Sequence, residues 1–259
     1  MSQKCHSILL DKRGKRTAEV ASLAYEFKHG HSIPEHSHPE DQLVFASSGV
    51  MTVHTRQGVW VVPSLRAVWI PAGTPHSITM SGAVSMRTLY LVPNLVCNLP
   101  AKCFVMNVSP LLRELLVHAC GFPTLKKRLP AHKRIIDMIV DQLAAASSIP
   151  LQLPQPSDRR AMRIAKAMLE NPGQSTTLEK YCGSCGASKR TVQRLFVAET
   201  KMTFAKWRQQ LRLLHALRLL ASGEQVMVAA MDAGYSSTSA FIAMFKKQLG
   251  TTPSRYFTN

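Results

Sequence analysis

The chain has 259 residues, 46% hydrophobic and 18% charged, so it can bury a core and is not a disordered polymer. At roughly 100–200 residues per domain there is room for two domains. Its 32 Lys and Arg against 15 Asp and Glu leave a net charge of +17 and point to a polyanionic partner, nucleic acid ahead of an anionic membrane surface.

The N-terminus, Met1–Arg16, is polar and basic and lacks an export signal's apolar stretch. Between residues 20 and 92, Val, Ile, Thr and aromatic residues run in short stretches broken by Gly and Pro. Gln42–Phe45, Val50–Thr55, Val59–Val62 and Ala67–Ile70 are predicted strands of an all-β sandwich or barrel. Ala67–Met86 carries no charge, but Pro71, Gly73, Pro75 and His76 interrupt it, so no membrane span is expected. Ser109 with Pro110 starts a predicted helix bearing Leu111, Leu112, Leu115 and Leu116. A second helix is expected over Ala131–Ala146, with Ile135, Ile139 and Leu143 on one face. That face suits either an isologous homodimer contact or packing on the chain's own barrel. The prolines at 150, 154 and 156 make 151–157 a predicted linker between an N-terminal domain, 1–150, and a C-terminal domain, 158–259. Positive charge is denser beyond it: 16 basic and 6 acidic residues in the last 109, against 16 and 9 before.

From Asp158 onward the pattern is all-α. Helices are predicted at Arg159–Glu170, Leu178–Cys185, Lys189–Glu199, Phe204–Ala221, Val226–Ala233 and Ser239–Leu249. Two segments share one plan of short helix, Gly turn, Ser cap and second helix, over about 178–199 and 226–249. In the first, Val192, Leu195 and Phe196 face inward while Arg190 and Arg194 share another face, flanked by Thr191 and Gln193. Arg reads guanine with two hydrogen bonds and Gln can read adenine, so this is the pattern of a recognition helix. An ordinary solvated helix face would look similar, but the repeat in the second unit, anchored by Phe241 and Phe245, favours DNA. Two such units suit successive major grooves about 34 Å apart.

The stretch Ala233-Gly-Tyr-Ser-Ser-Thr-Ser-Ala-Phe241, continuing through Phe245-Lys-Lys-Gln-Leu-Gly250 to Pro253-Ser-Arg-Tyr256, resembles the signature of AraC/XylS-type transcription regulators. The resemblance covers about 100 residues and implies sequence-specific binding of operator DNA by a double helix-turn-helix, with RNA polymerase a further candidate partner. It implies a base-reading face at Arg190, Thr191, Gln193 and Arg194 in the first unit, with Ser188 and Lys189 also against DNA, and at Thr238, Ser239, Ile242 and Ala243 in the second. Ala243 stands where many members carry Arg, so weaker base readout is expected there, with Lys246 and Lys247 on phosphates. Cys182 and Cys185 could form half a zinc site, but no second pair follows at the right spacing, so core packing is expected. The six cysteines, at 5, 97, 103, 120, 182 and 185, show no disulfide framework and suit reduced thiols in the cytoplasm.

Six of the ten histidines crowd into residues 29–76. His36 and His38 lie two apart and so share a strand face, and His76 follows a turn at Pro71-Ala-Gly73. Gly30, His36, His38 and Gly49, then Pro71, Gly73 and His76, resemble the two motifs of the cupin superfamily of jelly-roll barrels. Gln42 stands at the usual Glu, Leu65 at the usual upstream Gly and Met80 at the final Asn. The resemblance implies a barrel whose His36, His38, Gln42 and His76 hold one divalent transition metal. The same histidines could instead line a metal-free pocket. The expectation is therefore a non-enzymatic regulator: an N-terminal cupin barrel with appended helices senses a small-molecule or metal effector, and an all-α C-terminal domain binds DNA. The alternatives are an oxygenase-like metalloenzyme fused to a DNA-binding module and an architectural DNA binder.

Overall fold

The structure is a computed structural model that describes residues 3–4, 7–10, 14–149 and 151–257; Cys5 and Pro150 lie outside the described residues. Two compact units are present, Met1–Arg56 with Trp60–Gln152, and Gln57–Val59 with Leu153–Asn259.

The first unit is built on a mainly antiparallel sheet, with β1 running parallel to β3: β1 (Gln3–Lys4), β2 (Val20–Phe27), β3 (Ser32–Ser37), β4 (Asp41–Thr55), β5 (Gly58–Pro63), β6 (Arg66–Ile70), β7 (His76–Leu91) and β8 (Phe104–Asn107). Then come α1 (Pro110–Ala119), β9 (Thr124–Leu125), α2 (Pro130–Ala144), β10 (Ser148–Ile149) and β11 (Gln152–Pro154), the last within the stretch expected as a linker. The sheet order is β1-β3-β7-β4-β6-β8-β10, with β2 on β7 and β5 on β4. The two expected strands at Gln42–Phe45 and Val50–Thr55 are one 15-residue strand, β4, irregular between Ala46 and Val50. Gly49 makes this bend, because its φ is +76° and a Cβ there would sit 2.4 Å from the Ala83 carbonyl oxygen.

Strand β7 alternates buried His76, Ile78, Met80, Val84, Met86 and Thr88 with half-exposed Ser77, Thr79, Ser81, Ser85 and Arg87, the period of a strand with one interior face. On its other face, Leu89 and Leu91 join Leu43, Phe45, Ala67 and Trp69 under Leu112 and Leu116 of α1 and Ile136, Ile139 and Leu143 of α2. The α2 face considered for a dimer is thus spent within the protomer: Ile139 and Leu143 are buried on the sheet, and Ile135 packs half-buried beside them. Burying several such side chains, at about 1.5–3 kcal/mol each, outweighs leaving them for a partner.

The second unit holds α3 (Arg159–Glu170), α4 (Leu178–Cys185), α5 (Lys189–Thr200), α6 (Phe204–Ala221), α7 (Val226–Asp232), α8 (Thr238–Leu249) and α9 (Pro253–Tyr256). The short α9 has no counterpart among the expected elements. Asp158, Ser188, Thr203 and Ser237 cap their helices with side-chain oxygens. The long α6 is the spine: Phe204, Trp207, Leu211, Leu214 and Leu217 are buried along it. Gly173 and Gly234 cross so closely that a Cβ at Gly234 would lie 2.3 Å from the Gly173 carbonyl oxygen. Among the described residues no helix is long and apolar enough to cross a membrane.

Candidate functional site

Two constellations emerge, one in each unit. In the second, the turn between α4 and α5 works because Gly186 takes a left-handed backbone, φ +65°, where other residues pay a steric cost. Ser188 then caps α5, its Oγ accepting the Thr191 N–H at 3.2 Å and meeting Thr191 Oγ1 at 2.9 Å. Val192 and Phe196 anchor α5, with Leu195 half-buried and Thr200 completing the inner face. Arg190, Gln193 and Arg194 lie exposed at i, i+3 and i+4, one helix stripe. Among the described residues neither arginine is tied by a hydrogen bond or ion pair, so both guanidinium forks are free. Lys189 differs: its Nζ lies 2.6 Å from Glu179 Oε1. Thr191 is half-buried and its hydroxyl serves the cap.

In the second helix-turn-helix, Phe241, Met244 and Phe245 are buried, and Phe245 packs edge-on against Tyr256 of α9. Ser239, Ala243, Lys246 and Lys247 are exposed, whereas Thr238 and Ile242 are half-buried. This surface offers two short hydroxyls, an aliphatic patch and two ammonium groups, but no guanidinium. Cys182 and Cys185 are buried, and the Cys185 thiol donates to the Cys182 carbonyl at 3.5 Å. Burial pushes the Cys182 thiol up, the opposite of what a metal-binding thiolate needs.

In the first unit, His36, His38 and His76 each offer a ring nitrogen, all within 4.8 Å of one another. Each Nδ1 is committed to a nearby backbone carbonyl: His36 to Pro34 at 2.9 Å, His38 to Glu40 at 2.8 Å and His76 to Thr74 at 2.8 Å. A carbonyl accepts only, so Nδ1 carries the proton and Nε2 presents its lone pair in all three rings. His76 Nε2 is buried with no hydrogen-bond partner. Burial pulls the His76 imidazole down to about 4 and lowers His38 as well, so both rings stay neutral near pH 7, the form that ligates metal.

Gln42, only 2% exposed, donates from Nε2 to Thr88 Oγ1 at 3.0 Å, and its Oε1 faces His38 Nε2 at 3.1 Å. Two acceptors face to face need a cation between them, or a turned amide. Adjacent ligands of a metal at about 2.1 Å stand about 3.0–3.4 Å apart, so this pair has the spacing of two neighbouring ligands. The donor set therefore fits a divalent transition metal, although without an anionic ligand.

Sequence reasoning missed the surround. Glu40, 2% exposed, receives the Ser7 hydroxyl on one carboxylate oxygen and keeps the other buried and unpartnered. Its charge raises the His38 value against the burial effect. Tyr90 stands edge-on to His38 with centroids 5.0 Å apart. Thr88 and Tyr90 are 12 and 14 residues after His76, the same strand parity, so a period-two count along β7 would have found them. Leu65, at the motif's usual glycine, keeps the left-handed backbone with φ +63°.

A family model described as an AraC-like ligand binding domain matches residues 19–162, and one described as a helix-turn-helix domain matches 181–259. The chain is 36% identical over 223 residues to the HTH-type transcriptional regulator NimR of Escherichia coli K12, covering 86% of this chain and 81% of that protein. RipA of Corynebacterium glutamicum is 35% identical over 105 residues, covering 40% of this chain and 32% of that one. Among solved structures, fatty acid-bound ToxT of Vibrio cholerae aligns with 94% of this chain and 97% of its own, at 13% identity and a TM-score of 0.39. These relatives are regulators of transcription rather than enzymes, and the first of them matches across both units. The chain belongs to the AraC family of DNA-binding transcription regulators, with an AraC-like ligand-binding domain ahead of its helix-turn-helix domain.

Proposed function

We propose that this regulator acts in the cytoplasm and reads its operator unequally. Arg190, Gln193 and Arg194 of α5 contact base edges in one half-site, with Ser188, Lys189 and Thr191 holding the helix start against the backbone. Thr238, Ser239 and Ile242 of α8 make short-range and thymine-methyl contacts in the other, where Lys246 and Lys247 bind phosphates. The observation that carries this is the contrast between two untethered guanidinium groups on one exposed stripe of α5 and none on the matching stripe of α8.

Control would come from the first domain. His36, His38, His76 and Gln42 would hold one divalent transition metal, which when bound supplies a cationic centre for an anionic effector. The protein's own contribution is the fixed tautomer of each ring and the exclusion of water by burial. A homodimer would have to use a surface other than the Ile139–Leu143 face, and contact with RNA polymerase belongs to the helices left exposed beside DNA.

Selection of bound duplexes from a randomised 30-bp library tests the unequal reading. The expected result is two half-sites about ten base pairs apart, one rich in information and containing guanine, the other weakly specified. Two half-sites of equal information content would overturn it.

A further inference from the structure

A cleft of about 440 Å³ opens beside α5. It is bounded by the first turns of two helices, Thr177–Glu179 of α4 and Thr203–Ala205 of α6, and by Lys189, Gln193 and Arg208. Gln193 also lies on the exposed stripe of α5, so the cleft adjoins the surface assigned to base reading. Arg208 is fixed at its wall: Nη1 donates to the Thr176 carbonyl at 3.3 Å, and the guanidinium carbon lies 5.6 Å from the Phe204 ring centre. The other cation, Lys189, is occupied by Glu179 across 2.6 Å. That carboxylate is held below its ordinary range, chiefly by its hydrogen bond to Lys189, and so stays charged.

Lys189 and Arg208 face this cleft from two helices, with Glu179 as the one acid among its lining residues. Two helix first turns, an arginine anchored by a carbonyl and a lysine bonded to an anion make a place where negative charge is wanted. We propose that this cleft takes a backbone phosphate of the bound duplex, and that the Glu179 carboxylate occupies the site in the free protein as an internal competitor. On binding, the phosphate takes over Lys189, and Glu179 is turned into solvent, which its 59% exposed side chain permits. Arg208 and Lys189 then act as positioning residues that set how tightly α5 is held on any sequence, without choosing the sequence. The inference rests on the reading that α5 lies against DNA.

The test is the salt dependence of binding to a mixed-sequence 30-bp duplex, which needs no knowledge of the operator. The full-length protein is titrated by fluorescence anisotropy from 50 to 300 mM KCl. Each phosphate neutralised contributes about 0.9 to the slope of log affinity against log salt. Glu179→Gln is expected to bind tighter and to steepen the slope by up to about 0.9, because no displaced carboxylate then takes up a salt cation on binding. Arg208→Gln, checked for native circular dichroism, is expected to flatten it by a similar amount. Glu224→Gln removes an exposed acid outside the cleft and serves as the control for net charge. If Glu179→Gln and Glu224→Gln behave alike, the cleft is not a phosphate site and the proposal fails.

Inorganic phosphate at constant ionic strength gives the second arm. If it raises the melting temperature of the wild type but not of Arg208→Gln, the cleft serves a free anion and the duplex proposal is overturned. No shift in either is the expected result. Arg194→Ala separates this inference from the reading beneath it. If that variant keeps wild-type base preference, the reading of α5 fails; if it loses preference while Glu179→Gln matches its control, only the cleft assignment fails.

Discussion

Arg194→Ala is the most direct probe of how this protein chooses DNA. Arg194 is exposed on the middle of α5, one turn from Arg190, with its backbone fixed by buried Val192 and Phe196. Its side chain has no intramolecular partner among the described residues, so its removal leaves no buried group unpaired and should not unfold the domain. The loss is then confined to the complex. A bidentate arginine–guanine pair is worth about 1–3 kcal/mol of discrimination, which is about 5- to 150-fold in the ratio of operator to non-specific affinity. The free guanidinium also adds general attraction, so non-specific affinity should fall as well, but by less. Lys247→Ala is the contrasting change: its ammonium should meet a phosphate, lowering operator and non-specific affinity together and reducing the salt slope by about 0.9. The assay is anisotropy titration on a selected operator and a scrambled duplex at 100 mM KCl. If Arg194→Ala lowers both affinities equally and Lys247→Ala changes their ratio, the assignment of base readout to α5 and of phosphate contact to the end of α8 is wrong.

Three further outcomes are expected. Cobalt(II) titration in competition with a chelating dye should show one tight site in the wild type, lost in His76→Ala and tightened in Gln42→Glu, which adds the missing carboxylate; equal binding by wild type and His76→Ala would remove the cluster from consideration. Gly234→Ala combines a left-handed φ of +79° with a Cβ 2.3 Å from the Gly173 carbonyl oxygen, so urea denaturation should show a loss of about 2–4 kcal/mol in the helical domain; a loss under 1 kcal/mol would mean the loop after α3 yields freely. Leu65→Gly should leave thermal stability unchanged or raise it by up to about 1 kcal/mol, since the left-handed φ of +63° costs leucine about 1–2 kcal/mol while glycine loses about 0.5–1 in chain entropy. Leu65→Val should lower it, and the reverse order would show that the leucine side chain outweighs the backbone strain.

Much of the helical domain was legible because its signals are local. Ser188 and Ser237 are caps, Gly186 and Gly234 are left-handed turn residues, and Phe241 and Phe245 keep helical spacing. The barrel's turn residues were legible for the same reason: Gly30, Gly49 and Gly73 all have φ between +73° and +77°. What escaped was set by contacts distant in sequence. Helical spacing predicts an α2 face of Ile135, Ile139 and Leu143, yet the sheet's position turns Ile136 fully inward and leaves Ile135 at the edge. The length of β7 is hidden because its outer face carries Ser77, Thr79, Ser81, Ser85 and Arg87, and only pairing with β4 along most of its length makes them strand residues.

The histidine cluster shows where the boundary of legibility falls. Spacing alone brings His36 and His38 to one face, and a turn motif brings His76 near, but neither says which ring nitrogen is free. That is decided by carbonyls two residues away, at Pro34, Glu40 and Thr74. Thr74 ends the turn that Pro71 begins, its N–H donating to the Pro71 carbonyl at 3.2 Å, so that turn is part of what orients the His76 ring. A cluster whose protons are already on Nδ1 has nothing to rearrange before a cation arrives, whereas a cluster used only for packing would have no reason to leave His76 Nε2 unpaired in the interior. The same logic applies to Gln42. A glutamate there would bring a second buried carboxylate to the His38 ring, which already feels the charge of Glu40, and burying a further charge in the metal-free protein is costly. Glutamine keeps an oxygen 3.1 Å from His38 without that cost in the metal-free protein, whereas the carboxylate of Gln42→Glu would be favoured only once a cation is bound.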